Sequence, residues 1–132
     1  MIRLCILFLL VSCFENELPV YSSGEMLGFA RAGDPTMKIQ IGTIDKALVD
    51  CKDYKYKCDI GYMVVIKGLG LKALHYKNQE QAKLSAKRLK AYRSRNWVFD
   101  DVTGEPILER FVLEHLKAKK ELVPVEVINE SK

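Results

Sequence analysis

The chain predicts an α+β domain, a small sheet of about four strands with two main helices packed on one face. Three features carry this expectation. Lys38-Ile39-Gln40-Ile41-Gly42 alternates polar and apolar residues, the period of a half-buried strand. Tyr62-Met63-Val64-Val65-Ile66 is continuously apolar and rich in β-branched residues, as in a strand buried on both faces. Two later segments repeat apolar residues at helical spacing. These are Ala82, Ser85, Ala86, Leu89 and Tyr92, then Leu108, Phe111, Val112, His115 and Leu116. Two good helices do not cover both faces of a sheet in so short a chain, which favours one face.

Length and composition bound the answer. At 132 residues there is room for one domain. A hydrophobic fraction of 48% and a charged fraction of 29% are those of an ordinary globular protein and exclude a disordered chain. No apolar run approaches the roughly 20 residues of a membrane-spanning helix. A net charge of +4 does not demand a nucleic-acid partner, and none is expected.

In order along the chain, residues 14 to about 36 read as a tether. Ser22-Ser23-Gly24, Gly28 and Gly33-Asp34-Pro35 are turn-formers, although Glu25–Ala32 has enough apolar residues for a short helix. After the first strand, Thr43 caps a short helix reaching Cys51. Lys52–Lys57 is a turn and Tyr62–Ile66 the central strand, after which Gly68 and Gly70 punctuate the chain. Asn78 caps a helix from about Gln79 to Arg93, whose small Ala82, Ser85 and Ala86 allow close approach to a sheet. Trp97-Val98-Phe99 is a short strand ending at Asp100-Asp101. Pro106 opens the second helix, and Lys117, Lys119 and Lys120 occupy its last turn, where cations suit the dipole. Val123, Val125 and Val127 alternate in a final strand, which Pro124 places at an edge.

The N-terminus has a separate character. Arg3 supplies a positive start, Leu4–Val11 is continuously apolar, and small Ser12 comes next, the pattern of a secretory signal. Leu10-Val11-Ser12-Cys13 then resembles the lipobox of bacterial lipoproteins. The resemblance implies diacylglycerol on the Cys13 thiol, cleavage before Cys13 and acylation of the new amino group. Phe14 stands where an Asp would resemble the inner-membrane retention signal of enterobacteria, which favours the outer membrane, facing the periplasm. The chain thus divides into a signal peptide over 1–12, a lipidated tether over 13–36 and a single α+β domain over 37–129.

The cysteines agree with export. With Cys5 in the signal and Cys13 lipidated, Cys51 and Cys58 remain, and an even pair in an exported protein reads as a disulfide. The alternative is a pair of metal ligands, but neither His75 nor His115 has ligand spacing to them. For the bond to form, the chain must reverse between the two cysteines.

A second resemblance covers part of the domain. Ile39-Gln40-Ile41-Gly42-Thr43, and less closely Met63–Gly68 with Asn78, Ala82, Ala86 and Leu89 after it, resembles the sporulation-related repeat (SPOR) domain. That family implies a four-stranded sheet with two helices and binding to peptidoglycan glycan strands.

The chemistry-bearing residues are few. Between Gln79 and Arg95 stand Lys83, Lys87, Arg88, Lys90, Arg93 and Arg95 against one acid, Glu80. Lys83, Lys87, Arg88 and Lys90 are candidate contacts for an anionic partner, against the simpler reading of a solvated face. Asp100, Asp101, Glu105 and Glu109 form an acidic group whose strand-end and helix-start positions explain them without catalysis or metal. Trp97 and Phe99 share one side of a strand, as core or as a sugar platform. No nucleotide, hydrolase or metalloprotease motif occurs, so no catalytic residue, metal or cofactor is expected. The expected protein is a non-enzymatic, membrane-anchored envelope lipoprotein with a binding or assembly module. A peptidoglycan-binding module and a small periplasmic enzyme are its rivals.

Overall fold

The computed structural model of the chain describes residues 18–40 and 48–121. Helix α1 (Ser23–Gly33) is succeeded by β1 (Lys38–Gln40), a 3-10 turn (Cys51–Asp53), β2 (Ile60–Ile66) and β3 (Leu69–His75). Then come α2 (Gln79–Leu89), β4 (Tyr92–Ser94), β5 (Trp97–Asp100), α3 (Pro106–Glu114) and β6 (Lys119–Lys120). The fold is α+β, as the sequence predicts. The sheet has six strands rather than about four, in the order β1-β2-β3-β5-β4-β6 and antiparallel throughout. Both edge strands are short and carry lysine, which discourages edge-to-edge pairing.

The helices do not share one face. Met26 and Ala30 of α1 and Leu108, Phe111 and Val112 of α3 pack with Val64, Ile66, Leu71, Trp97 and Phe99. Ala82 and Ala86 of α2 pack on the other face, with Leu74 and Val98. Strand direction explains the split. β3–α2–β4 crosses β5, and β5–α3–β6 crosses β4, both towards the same edge. β3 and β5 run in opposite directions. Crossovers of one hand that start from opposed strands must pass over opposite faces. The two predicted helices, too few to cover both faces alone, are joined by α1 and the loop over residues 48–58, which supply the missing cover.

Residues 18–36, expected as tether, are folded into the domain. Ser22 and Glu25 form a capping box: the Glu25 N–H donates to Ser22 Oγ at 3.2 Å, and the Ser22 N–H to Glu25 Oε1 at 3.1 Å. The segment before α1 is held by a buried amide. The Tyr21 N–H donates to Asn96 Oδ1 (2.8 Å), while Asn96 Nδ2 donates to the carbonyls of Tyr21 (3.2 Å) and Tyr76 (3.0 Å). Trp97 Nε1 also donates to the Tyr21 carbonyl, at 2.9 Å.

Other boundaries differ for local reasons. β3, read as glycine-punctuated loop, pairs with β2 through a two-residue turn in which Lys67 and Gly68 have φ of 50° and 82°. Tyr62–Ile66 is not buried on both faces: Val64 and Ile66 are buried, while Met63 and Val65 are partly exposed. Helix α2 stops at Leu89, four residues short of Arg93, because Lys90 turns left-handed (φ 54°, ψ 42°) and Tyr92 enters β4. Lys117, Lys119 and Lys120 lie beyond α3: Lys117 turns at φ 57°, and the other two form β6 against β4. The expected signal peptide, Cys13, most of the expected Thr43–Cys51 helix and the expected Val123–Val127 strand lie outside the described residues.

Asp34 closes α1 onto the β2–β3 turn. Its carboxylate accepts from the Thr36 hydroxyl (2.6 Å), the Thr36 N–H (3.0 Å) and the Lys67 N–H (3.0 Å). The Thr36 hydroxyl first, then the Lys67 N–H, hold its pKa below the ordinary 3.8.

Both sets of bonds can be tested. Asn96→Ala leaves the Tyr21 N–H and the Tyr76 carbonyl without that amide, so urea unfolding should show a loss of about 2–4 kcal/mol. A carboxylate with a lowered pKa stabilises the fold above its unfolded value, and that stability is lost as pH falls through the folded value. Between about pH 5 and about pH 2, thermal unfolding of Asp34→Asn should therefore depend less on pH than that of the wild type.

Candidate functional site

The disulfide is present. Cys51 and Cys58 are bonded with Cα atoms 4.9 Å apart, and the chain reverses between them as the bond requires. The Asp50 carboxylate starts the 3-10 turn by accepting from the Lys52 N–H at 2.9 Å. This loop covers the α2 face of the sheet. Val49 lies so close to Gly61 that a Cβ there would fall 2.5 Å from Val49 Cγ1. Tyr54 donates its hydroxyl to Asp100 Oδ2 at 3.0 Å. Tyr76, only 1% exposed, donates to the Tyr56 carbonyl at 2.8 Å and pairs with the Ser85 hydroxyl of α2 at 2.6 Å. Burial pushes the Tyr54 and Tyr76 pKa values up, and the Asp100 charge adds to both. These hydroxyls remain neutral donors that tie loop, sheet and helix together.

The acidic group is spent on structure. Asp100 accepts from Tyr54, and Asp101 pairs with Lys72 at 3.4 Å. Glu105 caps α3 by position, without a side-chain bond. Glu109 accepts from Tyr92 at 2.5 Å, a bond that pushes the Tyr92 pKa up to about 12. Among the described residues no three His, Cys, Asp or Glu side chains gather as a metal site. Trp97 and Phe99 do face one side together, but they are 0% and 1% exposed, which makes them core rather than a platform for sugar. His115 packs against Phe111 with ring centroids 4.9 Å apart. His75 meets Trp97 at the same separation; its Nδ1 lies 3.4 Å from Asp59, too poorly aligned for a hydrogen bond.

The basic residues are on the surface. Lys83, Arg88 and Lys90 are exposed and Lys87 is half-buried, while Ala82, Ser85 and Ala86 face the sheet as their spacing predicts. None of the four makes an ion pair among the described residues. Lys90 lies on the cap, outside the helix proper.

Sequence reasoning missed where the N-terminal segment docks. Gln79, the first residue of α2, donates its side-chain amide to the Leu18 carbonyl. Arg95, in the β4–β5 turn, donates to the Pro19 carbonyl at 2.8 Å and sets its guanidinium 4.1 Å from the centre of the Tyr21 ring. Lys117 approaches the same end, 4.4 Å from the Phe29 ring and 5.9 Å from that of Tyr21. Beside α2's start, Lys57, Asp59, Tyr76, Lys77, Asn78 and Gln81 line an open cleft of about 310 Å³. The chain thus enters the domain at its basic end. The apolar residues of Glu25–Ala32 hinted at this by allowing a helix inside the supposed tether, and the Ser22–Glu25 capping-box spacing is a second local signal for it.

Compared with known proteins, the chain matches no family model, no curated protein and no solved structure.

The disulfide closes a loop of about eight residues, for which chain entropy gives roughly 2.5 kcal/mol. Cys51→Ser with Cys58→Ser should accordingly lower the unfolding free energy by about 2–3 kcal/mol. Two alkylatable thiols at these positions in exported protein would contradict the bond.

Proposed function

We propose that this chain is a lipoprotein of a bacterial cell envelope, anchored through Cys13, whose folded domain is a non-enzymatic binding or assembly module. The observation that carries the reading is the apolar Leu4–Val11 run ending in Leu10-Val11-Ser12-Cys13. Phe14, in place of an Asp resembling the inner-membrane retention signal, favours an anchor in the outer membrane, with the domain facing the periplasm. The Cys51–Cys58 disulfide supports it, because such bonds persist in oxidising compartments such as the periplasm. The exposed Lys83 and Arg88 of α2, the half-buried Lys87 and the exposed Lys90 on its cap, without ion pairs among the described residues, support contact with an anionic partner.

The partner on this reading is another envelope component. A peptidoglycan partner is the second reading, and its support is the resemblance of Ile39-Gln40-Ile41-Gly42-Thr43 to the sporulation-related repeat domain. Pull-down of the detergent-solubilised protein with purified sacculi and with envelope extract separates the two. Sedimentation with sacculi selects the glycan reading, and a stoichiometric protein partner selects assembly.

The anchor has its own test. Cys13→Ser should abolish labelling by a radioactive or clickable fatty acid and leave the unprocessed form. Labelling of the Ser variant at the wild-type level would refute lipidation at Cys13.

A further inference from the structure

We propose that the domain lies directly against the membrane that anchors it, with the end where its chain enters turned to anionic phospholipid headgroups. The inference rests on the lipoprotein reading and adds an orientation and a contact surface to it. Chain length sets the first constraint. Cys13 and Leu18 are separated by only five peptide steps, which span at most about 18 Å. The chain cannot gain more slack while the segment stays docked. Leu18 is held through its carbonyl by Gln79, Pro19 by Arg95, and Tyr21 by the buried Asn96 amide. A tether of residues 13–36 would have let the domain roam, whereas a leash ending at Leu18 holds one end of it near the bilayer. That distance compares with a headgroup layer of roughly 5–8 Å and a screening length of about 8 Å in physiological salt.

The end held there is basic. Gln79, Lys83 and Lys87 succeed one another at i, i+4 and i+8, so the lysine stripe of α2 begins at the residue that holds Leu18. Arg95 and Lys117 stand 4.1 Å and 5.9 Å from the centre of the Tyr21 ring of the docked segment. Lys57 and Lys77 line the adjoining cleft. The acids at this end are Glu80 on α2, Glu25, whose carboxylate is engaged by the Ser22 N–H, and Asp59, whose carboxylate lies 4.0 Å from Lys77 and 3.4 Å from His75; Glu15 and Glu17 stand in the leash itself. Leu18 and Val20 are 62% and 48% exposed on the docked segment itself, where they can sit among headgroups beside the cations. The opposite end of the sheet holds the Lys67-Gly68 turn and nearby Lys38, opposite Val65. It lies about 20 Å away along β3, beyond two screening lengths.

The test footprints lysines of the acylated full chain. The protein is placed in phosphatidylglycerol–phosphatidylcholine vesicles, in pure phosphatidylcholine vesicles and in detergent, then modified with a water-soluble amine reagent and read by peptide mass spectrometry. Lys83, Lys87 and Lys117 should react at least about fivefold more slowly on anionic than on neutral vesicles, the level expected if the headgroups cover them, and high salt should remove the difference. Lys38 and Lys67 should react equally on both. Lys83→Glu with Lys87→Glu should abolish the protection of Lys117. Equal rates at all five lysines of acylated, vesicle-bound protein would overturn the orientation while leaving the lipoprotein reading intact. So would protection that arises only with sacculi or a protein partner. A mass showing unmodified Cys13 in envelope-derived protein would overturn both.

Discussion

Three stretches of chain meet at the buried side-chain amide of Asn96. One is the segment ending at Tyr21, one is the chain leaving β3 at Tyr76, and the third is the β4–β5 turn to which Asn96 itself belongs. The Tyr76 N–H completes the arrangement by donating to the Asn96 carbonyl at 2.9 Å. Each bond satisfies a backbone group that the surrounding burial has removed from water, so none can be dropped cheaply. With Tyr21 held, α1 is delivered to the sheet, and Met26 and Ala30 close over Val64, Leu71 and Trp97. Without that seat, the part of this face that α3 does not cover would stand open.

The second face is closed by different means. Helix α2 offers only small residues, Ala82, Ser85 and Ala86, so it lies close to β5 but covers little area. The disulfide loop fills the rest, through Val49 over Gly61 and the Tyr54 and Tyr76 hydroxyls. A small domain with a thin layer on one side gains from a covalent staple there, since its core alone is marginal. The same loop borders the cleft at the start of α2, so the staple also shapes the basic end.

Much of this was legible in the residues. The alternation at Lys38–Gln40, the Asn78 cap and small-residue face of α2, the start of α3 at Pro106 and the Cys51–Cys58 pair are all local patterns, and all are present. Two further signals stood in the sequence but were outweighed. Leu69, Leu71 and Ala73 alternate with Gly70 and Lys72 in β3 before Leu74 breaks the period, and Gly68 and Gly70 punctuate the stretch so that it does not read as a strand. Ser22 and Glu25 have capping-box spacing and Glu25–Ala32 has the apolar residues of a short helix, which α1 bears out, yet the glycines around them gave the stretch to a tether. The stops of α2 and α3 were not legible, because Lys90 and Lys117 take left-handed conformations that sequence assigns to glycine or asparagine.

By itself the sequence determined the class of fold, the small-residue face of α2 and the Leu108, Phe111 and Val112 face of α3, the cysteine pairing and the expectation of a lipid anchor. Those are properties of windows a few residues wide, where period and spacing act directly. Only the tertiary structure decided which face each helix covers, because that depends on the direction of strands paired far apart in the chain. Only it showed that the stretch from Leu18 belongs to the domain, because the bonds that hold Tyr21 come from partners 75 and 76 positions away. Such contacts form once the sheet has brought both ends together, and no local pattern in the residues announces them.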